Sequence, residues 1–159
     1  MAIETNNVLD FFEGAGFTAL GGNYGAVAIG GFSDEADIAT YGNSENVPSA
    51  VFVLECKFAT MPAAHSVLHL HAQKLDLIGS DDSPVPSANN LSQKIATFVV
   101  DGDGTANVAM FLPDGWRTLP NFTDTQNYKF YLENQSGQAV SAGWKLHIRG
   151  ATKGAKAQG

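Results

Sequence analysis

The sequence predicts an all-β protein, an antiparallel β-sandwich in which a jelly roll is favoured over an immunoglobulin-like arrangement. Two observations predict this class: short segments alternate apolar and polar residues, and the links between them are rich in Gly, Pro, Asn and Asp. Only 16% of the 159 residues are charged, whereas exposed helices would need more Lys and Glu. A single cysteine excludes the Cys…Trp…Cys frame of an immunoglobulin domain.

The clearest pair of strands lies in residues 127–148. Its apolar positions alternate with polar ones and are Tyr128, Phe130, Leu132, Trp144, Leu146 and Ile148. The intervening run ENQSGQ, in which Gly137 can adopt a positive φ, predicts either a hairpin or a longer connection between two sheets. Gly143 indicates a bulge or a close approach just before Trp144, which we expect in the core.

Three units are predicted along the chain: an N-terminal arm and linker over 1–46, a sandwich body over 47–150 and a basic tail over 151–159. The arm is expected to contain at most one short helix, because the apolar residues of this segment follow i, i+3, i+4 spacing after a capping Asn. Those apolar residues are Val8, Leu9, Phe11 and Phe12. Residues 33–48 are polar without periodicity, which predicts a surface loop. Further strands are predicted over 50–58, 67–77, 95–100 and 107–112.

Charge is distributed unevenly. The net charge is −7, yet the first 56 residues hold eight acids and no Lys or Arg, and the last fifteen hold four bases and no acid. This pattern fits a solvated acidic segment with a basic tail, or complementary ends that dock on neighbouring copies or on a charged shell. The low charged fraction indicates that part of the surface is covered by a partner or by other copies.

Several function classes are excluded by composition. An acidic pI of about 4.8, without a basic stripe containing aromatics, argues against binding to nucleic acid. No apolar run is long enough to span a bilayer, and MAIETNNVLD lacks a secretory apolar region, so we expect no membrane partner and a cytosolic protein before any assembly. Cys56 falls on the apolar side of an alternating run, which predicts a buried thiol and not a nucleophile.

Two patterns raise the question of a bound metal. Asp101, Asp103 and Thr105 resemble the opening of a calcium loop, with Asp81 and Asp82 as the obvious helpers. The loop lacks a closing bidentate Glu, and Asp-Gly between apolar strands is a hairpin signal, so a turn is favoured over a cation site.

The second pattern is a histidine pair. His69 and His71 would share one face of a strand, but no third ligand is evident, so a polar strand face is favoured. The sequence shows no nucleophile-elbow motif, and its paired acids lie in turn sequences and do not mark a cleft. We therefore expect no catalytic residue, cofactor or metal.

The runs FYLENQSGQAVSAGWKL and LDLIGSDDSPVPSAN resemble small virion structural proteins of tailed bacteriophages, of the capsid cement or decoration type. The resemblance covers residues from about 67 to 148. It implies a non-enzymatic protein that binds the major capsid protein and stabilises the phage head. It also implies a homo-oligomer, with a trimer favoured, that occupies the capsid surface after a period in the host cytoplasm.

Exposed aromatic residues supply the candidate contacts. The candidate interface residues are Phe11, Phe12, Phe17, Tyr24, Trp116 and Arg117. The three phenylalanines would anchor the arm on a partner, while Arg117 adds a fork of hydrogen-bond donors beside Trp116. The alternative function is a glycan-binding sandwich module of a phage fibre or host-surface adhesin. That alternative depends on Trp116, Tyr24 and Tyr41 in polar, turn-rich segments.

Overall fold

The computed structural model describes residues 8–12, 16–35, 37–43, 47–76, 82–90, 94–102, 105–119 and 126–155. Within these ranges the chain forms nine β-strands in two antiparallel sheets, without a helix. The prediction of an all-β, two-sheet protein is therefore confirmed.

Sheet 1 contains β1 (Val8–Phe12), β9 (Lys145–Ala155), β4 (Ser49–Cys56) and β7 (Met110–Thr118) in that spatial order, and β2 (Thr18–Ala19) also pairs with β9. Sheet 2 contains β3 (Tyr41–Asn43), β8 (Gln126–Gln135), β5 (Val67–Lys74) and β6 (Lys94–Val99) in that order. Four strand pairs are nested along the chain. The pair β5–β6 lies within β4–β7, which lies within β3–β8, which in turn lies within β2–β9.

Alternation in β4 shows how the sheets meet. Its even-numbered residues are buried and its odd-numbered residues are partly exposed, the period expected of a strand with one covered face. The ring of Phe52 on β4 packs edge-on against that of Phe130 on β8, with centroids 5.3 Å apart. Both belong to one apolar cluster that spans the two sheets, and burying each ring contributes about 1.5–3 kcal/mol.

The link between β8 and β9 crosses from sheet 2 to sheet 1, so of the two predicted connections it is the longer one and not a hairpin. Gly137 and Gly143 have φ of 79° and 85°, in the left-handed region that favours glycine. The Gly143 N–H donates to the carbonyl of Tyr24, but a Cβ at Gly143 would meet no atom within 4 Å, so the positive φ and not a close approach requires glycine here. Trp144 is buried and its indole N–H donates to the Gly25 carbonyl at 2.7 Å.

The helix predicted through Val8, Leu9, Phe11 and Phe12 is wrong. This segment is β1, which runs antiparallel to β9 from Val8 opposite Ala155 to Phe12 opposite Ala151. Five residues are too few for a stable helix but can gain ladder bonds along a neighbouring strand. Because β9 extends this far, the first five residues of the predicted tail are strand as well.

Residues 16–43 contribute to the same core as the body instead of extending away from it. Leu20, Val27 and Ile38 are buried in the central cluster. Val27 exchanges two backbone hydrogen bonds with Val140, both 3.0 Å, and β3 extends the edge of sheet 2 beside β8. Isolated apolar residues between glycines carry no periodicity, which is why the sequence did not reveal them as core.

A buried carboxylate organises the segment that the sequence predicts as a surface loop. The side chain of Asp37 accepts hydrogen bonds from the backbone N–H groups of Gly25 at 2.6 Å and Asp34 at 2.7 Å. The chain passes so close here that a Cβ on Gly22 would clash with the carbonyl oxygen of Asp37. Gly22 and Gly25 therefore allow the chain to pack closely around Asp37.

β7 is longer than predicted, because it continues through a Pro-Asp-Gly sequence that is typical of a turn. A register shift opposite Phe52 and Val53 accommodates Asp114 as an extra residue, and Gly115 has φ of 71°. The bulge allows the strand to continue, so Trp116 lies on a strand and not in a loop.

Candidate interaction surface

The outer face of sheet 1 is the surface that faces away from the core. The register of β7, β4 and β9 arranges its side chains in three rows across the strands: Phe111, Glu55 and Lys145; Pro113, Val53 and His147; Trp116, Val51 and Arg149. None of these nine side chains is buried. The column on β7 is apolar and the column on β9 is basic, so the face changes from apolar to cationic across about 10 Å.

Glu55 supplies the carboxylate of this face. Its Oε2 lies 3.2 Å from Nε2 of His147 and 3.9 Å from Nζ of Lys145. The ring of Phe111 lies 6.5 Å from that of His147, so the apolar and basic columns are in contact. Partly exposed ion pairs of this kind contribute only about 0–1 kcal/mol to the stability of the fold. The basic column is notable because the chain as a whole has a net charge of −7.

Trp116 and Arg117 are neighbours on β7, but their side chains lie on opposite faces of the strand. Register puts Trp116 on the outer face and Arg117 opposite the buried Ala50. The Arg117 guanidinium donates to Oδ1 of Asp114 at 2.7 Å and to the Trp116 carbonyl at 2.8 Å. Burial raises the pKa of Asp114, and the charge and hydrogen bond of Arg117 partly offset this. Arg117 therefore holds the bulge in place.

Of the remaining predicted contact residues, Tyr24 lies away from this face. Phe17 is 47% exposed just before β2. Phe11 and Phe12 lie in β1, and their side chains are outside the described residues. The ring of Tyr24 packs edge-on against Trp144 with centroids 5.0 Å apart, so Tyr24 extends the core.

Most of the outer face of sheet 1 was not identified by sequence reasoning. The alternation that predicts β9 also places Lys145, His147 and Arg149 on the side opposite its core residues, so the basic column was visible in the sequence. Phe111 was hidden, because Met-Phe-Leu-Pro is apolar throughout and shows no alternation. Which side of such a run faces solvent depends on the register with β4.

The outer face of sheet 2 carries a buried polar cluster. His71 is completely buried, its Nε2 lies 2.8 Å from Oε2 of Glu133, and the ring of Phe32 packs edge-on against it at 5.3 Å. The side-chain amide of Gln135 donates to the other oxygen of Glu133. Burial acts to raise the pKa of Glu133, but the hydrogen bonds from Gln135 and His71 outweigh it and leave the pKa below its usual value.

A second set of hydrogen bonds connects β8 and β5 to a covering loop. The Tyr131 hydroxyl donates to Oε1 of Gln73 at 2.8 Å, and Nε2 of Gln73 donates to the carbonyl of Ser83 at 2.9 Å. Burial raises the pKa of Tyr131 to about 12. Residues 82–90 thus cover one part of the sheet as Phe32 covers another.

The two predicted histidines share one side of β5, opposite the core residues Leu68 and Leu70, as expected. Their environments differ. Nδ1 of His69 lies 3.0 Å from Oγ1 of Thr97, and burial together with Lys94 lowers the pKa of His69. His71 lies beneath a loop.

Among the described residues, no group of three or more His, Cys, Asp or Glu side chains is placed to hold a metal ion. Asp101 and Asp82 are exposed, while Asp81 and Asp103 lie outside the described residues. The backbone at Gly102 is a turn, as favoured from the sequence, but the flanking strands β6 and β7 lie in different sheets, so the hairpin that Asp-Gly suggested is wrong.

An open cavity of about 150 Å³ lies between β2, β3 and β9. It is lined by Gly16, Thr18, Leu20, Tyr41, Ile148, Arg149 and Gly150. A space of this volume accommodates a group about as large as a benzene ring. The aromatic residues of the glycan hypothesis are therefore dispersed, since Tyr41 lies here, Tyr24 lies against the core and Trp116 lies on the outer face of sheet 1.

The part of the chain that the structure describes contains no helix with the length and apolar character needed to cross a membrane. No protein-family model and no curated protein matches this chain. Function is therefore inferred from the residues and their geometry.

Proposed function

We propose that this chain is a non-enzymatic virion structural protein of the capsid cement or decoration type, which binds the major capsid protein and stabilises the phage head. The observation that carries the proposal is the strand order, with β1 and β2 beside β9, β4 and β7 in one sheet and β3, β8, β5 and β6 in the other. Four nested strand pairs in two sheets support a jelly roll, an architecture that viral capsid domains and lectins share.

The outer face of sheet 1 supports a binding role on a large surface. A patch with an apolar column beside a basic column combines the residue types of protein interfaces, and Phe111 is 64% exposed on its apolar column. The His71–Glu133 pair has the residue types of acid–base chemistry, but it is buried away from solvent, so it supports a structural and not a catalytic part.

The partners and place follow from the same proposal. The protein would reside in the host cytoplasm before assembly and on the capsid surface afterwards, and it would self-associate, with a trimer favoured. A surface with few charges, part of which is covered in the assembled particle, fits this sequence.

A glycan-binding module of a phage fibre or host-surface adhesin is the second candidate. The cavity beside β3 favours it, because Tyr41 lines a space the size of one small ring. Jelly rolls are also used by lectins.

Purified particles test the first proposal. We expect mass spectrometry and cross-linking to find the chain on virions, joined to the major capsid protein. Particles that lack it should lose their genome at lower temperature or under milder osmotic shock. Absence from virions, or particles whose resistance is unchanged without it, would contradict the cement role.

A glycan array separates the two candidates. We expect no saturable binding by the purified chain. A saturable signal that is lost on Tyr41→Ala or Trp116→Ala, with the circular dichroism spectrum unchanged, would favour the glycan-binding module.

A further inference from the structure

We propose that the outer face of sheet 1 binds the acidic loop of a second copy, so that copies of this chain associate head to tail. The acidic loop is residues 28–35, which lie on the opposite side of the sandwich, along sheet 2. This contact rests on the self-association included in the proposed function and gives it a specific geometry.

The acidic loop is held in one position along the edge of β8. The Gly30 N–H donates to the Asn134 carbonyl at 2.7 Å, and the Ser33 N–H donates to the Leu132 carbonyl at 2.8 Å. Ile29 stands 60% exposed at one end of the loop. The loop therefore presents an apolar side chain on a backbone that is already ordered, which limits the entropy lost on binding.

Two carboxylates stand exposed at the other end of the loop. Asp34 and Glu35 are both exposed, and Glu35 reaches Lys129 at 3.1 Å while most of its side chain faces solvent. Asp37 does not add to this surface, because its carboxylate is buried and accepts backbone hydrogen bonds within the same segment. The loop thus combines one apolar contact with two negative charges.

The outer face of sheet 1 offers the complement. Phe111 is exposed on its apolar column, and Lys145 and Arg149 lie on its basic column. Opposite charges across an interface set its orientation and speed encounter, while an apolar centre supplies most of the affinity.

The spacing of the two surfaces also agrees. One end of the loop bonds to Asn134 and the other end reaches Lys129, five residues away along β8. At the rise of a strand, this separates Ile29 and Glu35 by about 16 Å. Phe111 and Arg149 are two strands and four residues apart, which is also about 16 Å. Ile29 can therefore contact Phe111 while the carboxylates reach Arg149.

Because the two surfaces lie on opposite sides of the sandwich, the contact is heterologous. Such contacts generate a ring when the rotation between copies closes and an open chain when it does not. Because the contact is small, we expect the association to be weak. Because it joins opposite charges, we expect the association to weaken further as salt rises.

Complementary charge variants of the full chain test this contact by sedimentation velocity over a range of concentrations. The face variant is Lys145→Glu with Arg149→Glu, and the loop variant is Asp34→Lys with Glu35→Lys. We expect each alone to raise the dissociation constant by about tenfold or more, because like charges then face each other. Mixing the two variants should restore association, since each supplies the surface that the other has lost.

Two controls address charge and folding. Lys57→Glu with Lys94→Glu makes the same change in net charge as the face variant, at positions outside the three rows of the face and outside the acidic loop, and should associate as the wild type does. Phe111→Ser and Ile29→Ser leave every charge in place and should each weaken association. Circular dichroism and thermal unfolding establish that every variant used is folded.

Several results would overturn the proposed contact. A wild type that stays monomeric at all concentrations would do so, and so would a mixture of face and loop variants that fails to associate. Particle binding by the same variants separates this contact from the cement role. If only the face variant loses particle binding while the wild type is monomeric in solution, the face binds the capsid instead. If the mixture associates but no form binds particles, the contact holds and the cement role fails.

Discussion

The two outer faces of this sandwich differ in what covers them. Sheet 2 buries His71, Glu133, Gln73 and Tyr131 beneath the acidic loop and residues 82–90. Sheet 1 leaves a grid of apolar and basic side chains accessible to solvent. Polarity alone therefore misidentifies the faces, because sheet 2 buries a set of polar side chains while the accessible face of sheet 1 contains an exposed phenylalanine.

A matched pair of contacts makes this comparison measurable. Each face has one histidine that meets a glutamate on the neighbouring strand: His71 and Glu133 at 2.8 Å on sheet 2, and His147 and Glu55 at 3.2 Å on sheet 1. The chemistry is the same and the burial differs. Removing the glutamate of each pair in turn therefore shows how much burial adds to the free energy that the contact contributes.

Deleting residues 1–46 should have the largest effect. The deletion removes β1, β2 and β3 and the buried side chains of Leu20, Val27 and Ile38, each of which contributes about 1.5–3 kcal/mol. The sum approaches the whole stability of a typical domain, so we expect loss of the cooperative thermal transition. A truncated chain that unfolds at the wild-type temperature would instead support a separate arm divided from the body at residue 46.

Breaking the buried pair should have the next largest effect. Glu133→Ala leaves the imidazole of His71 without its partner in a closed site, and we expect a loss of about 2–4 kcal/mol in the free energy of unfolding. Glu55→Ala is the matched control and should cost less than about 1 kcal/mol. Chemical denaturation measures both, and equal losses would show that burial does not distinguish the two faces.

Stability should also depend on pH through Glu133. Its pKa in the folded protein lies below the usual 4.5, because the hydrogen bonds from Gln135 and His71 outweigh the effect of burial. Its contribution is therefore present above pH 4.5 and is lost as the pH falls towards the folded value. Denaturation at several pH values should show this loss in the wild type and a shallower one in Glu133→Gln. An identical slope in both would contradict the assignment.

The smallest effect on stability is expected at the exposed face. Phe111→Ser should change the free energy of unfolding by less than about 1 kcal/mol, since most of the ring is already in water. Phe98→Ala on β6 is the core control, and it should cost about 3–5 kcal/mol because that ring is completely buried. A large loss at Phe111 would mean that the outer face of sheet 1 is covered in the isolated chain.

Sequence reasoning found the strands of the body because their alternation is local. It failed at β1, where the apolar residues have helical spacing but the segment pairs with β9, and at β7, where a bulge carries the strand through Pro113 and Gly115. The covering of His71 by Phe32 could not be predicted, because it depends on a contact between segments 39 residues apart in the chain. The basic column of the outer face was visible in the sequence, but its apolar neighbour across β4 required the register.

The free thiol of Cys56 allows the rate at which the core opens to be measured. It is 1% exposed on the inner side of β4, between the two sheets, and burial raises its pKa to about 12. A thiol reagent can therefore react only in the moments when β4 separates from sheet 2, and the labelling rate counts those openings. In the wild-type chain, the labelling rate of Cys56 can therefore show whether association or particle binding makes these openings less frequent.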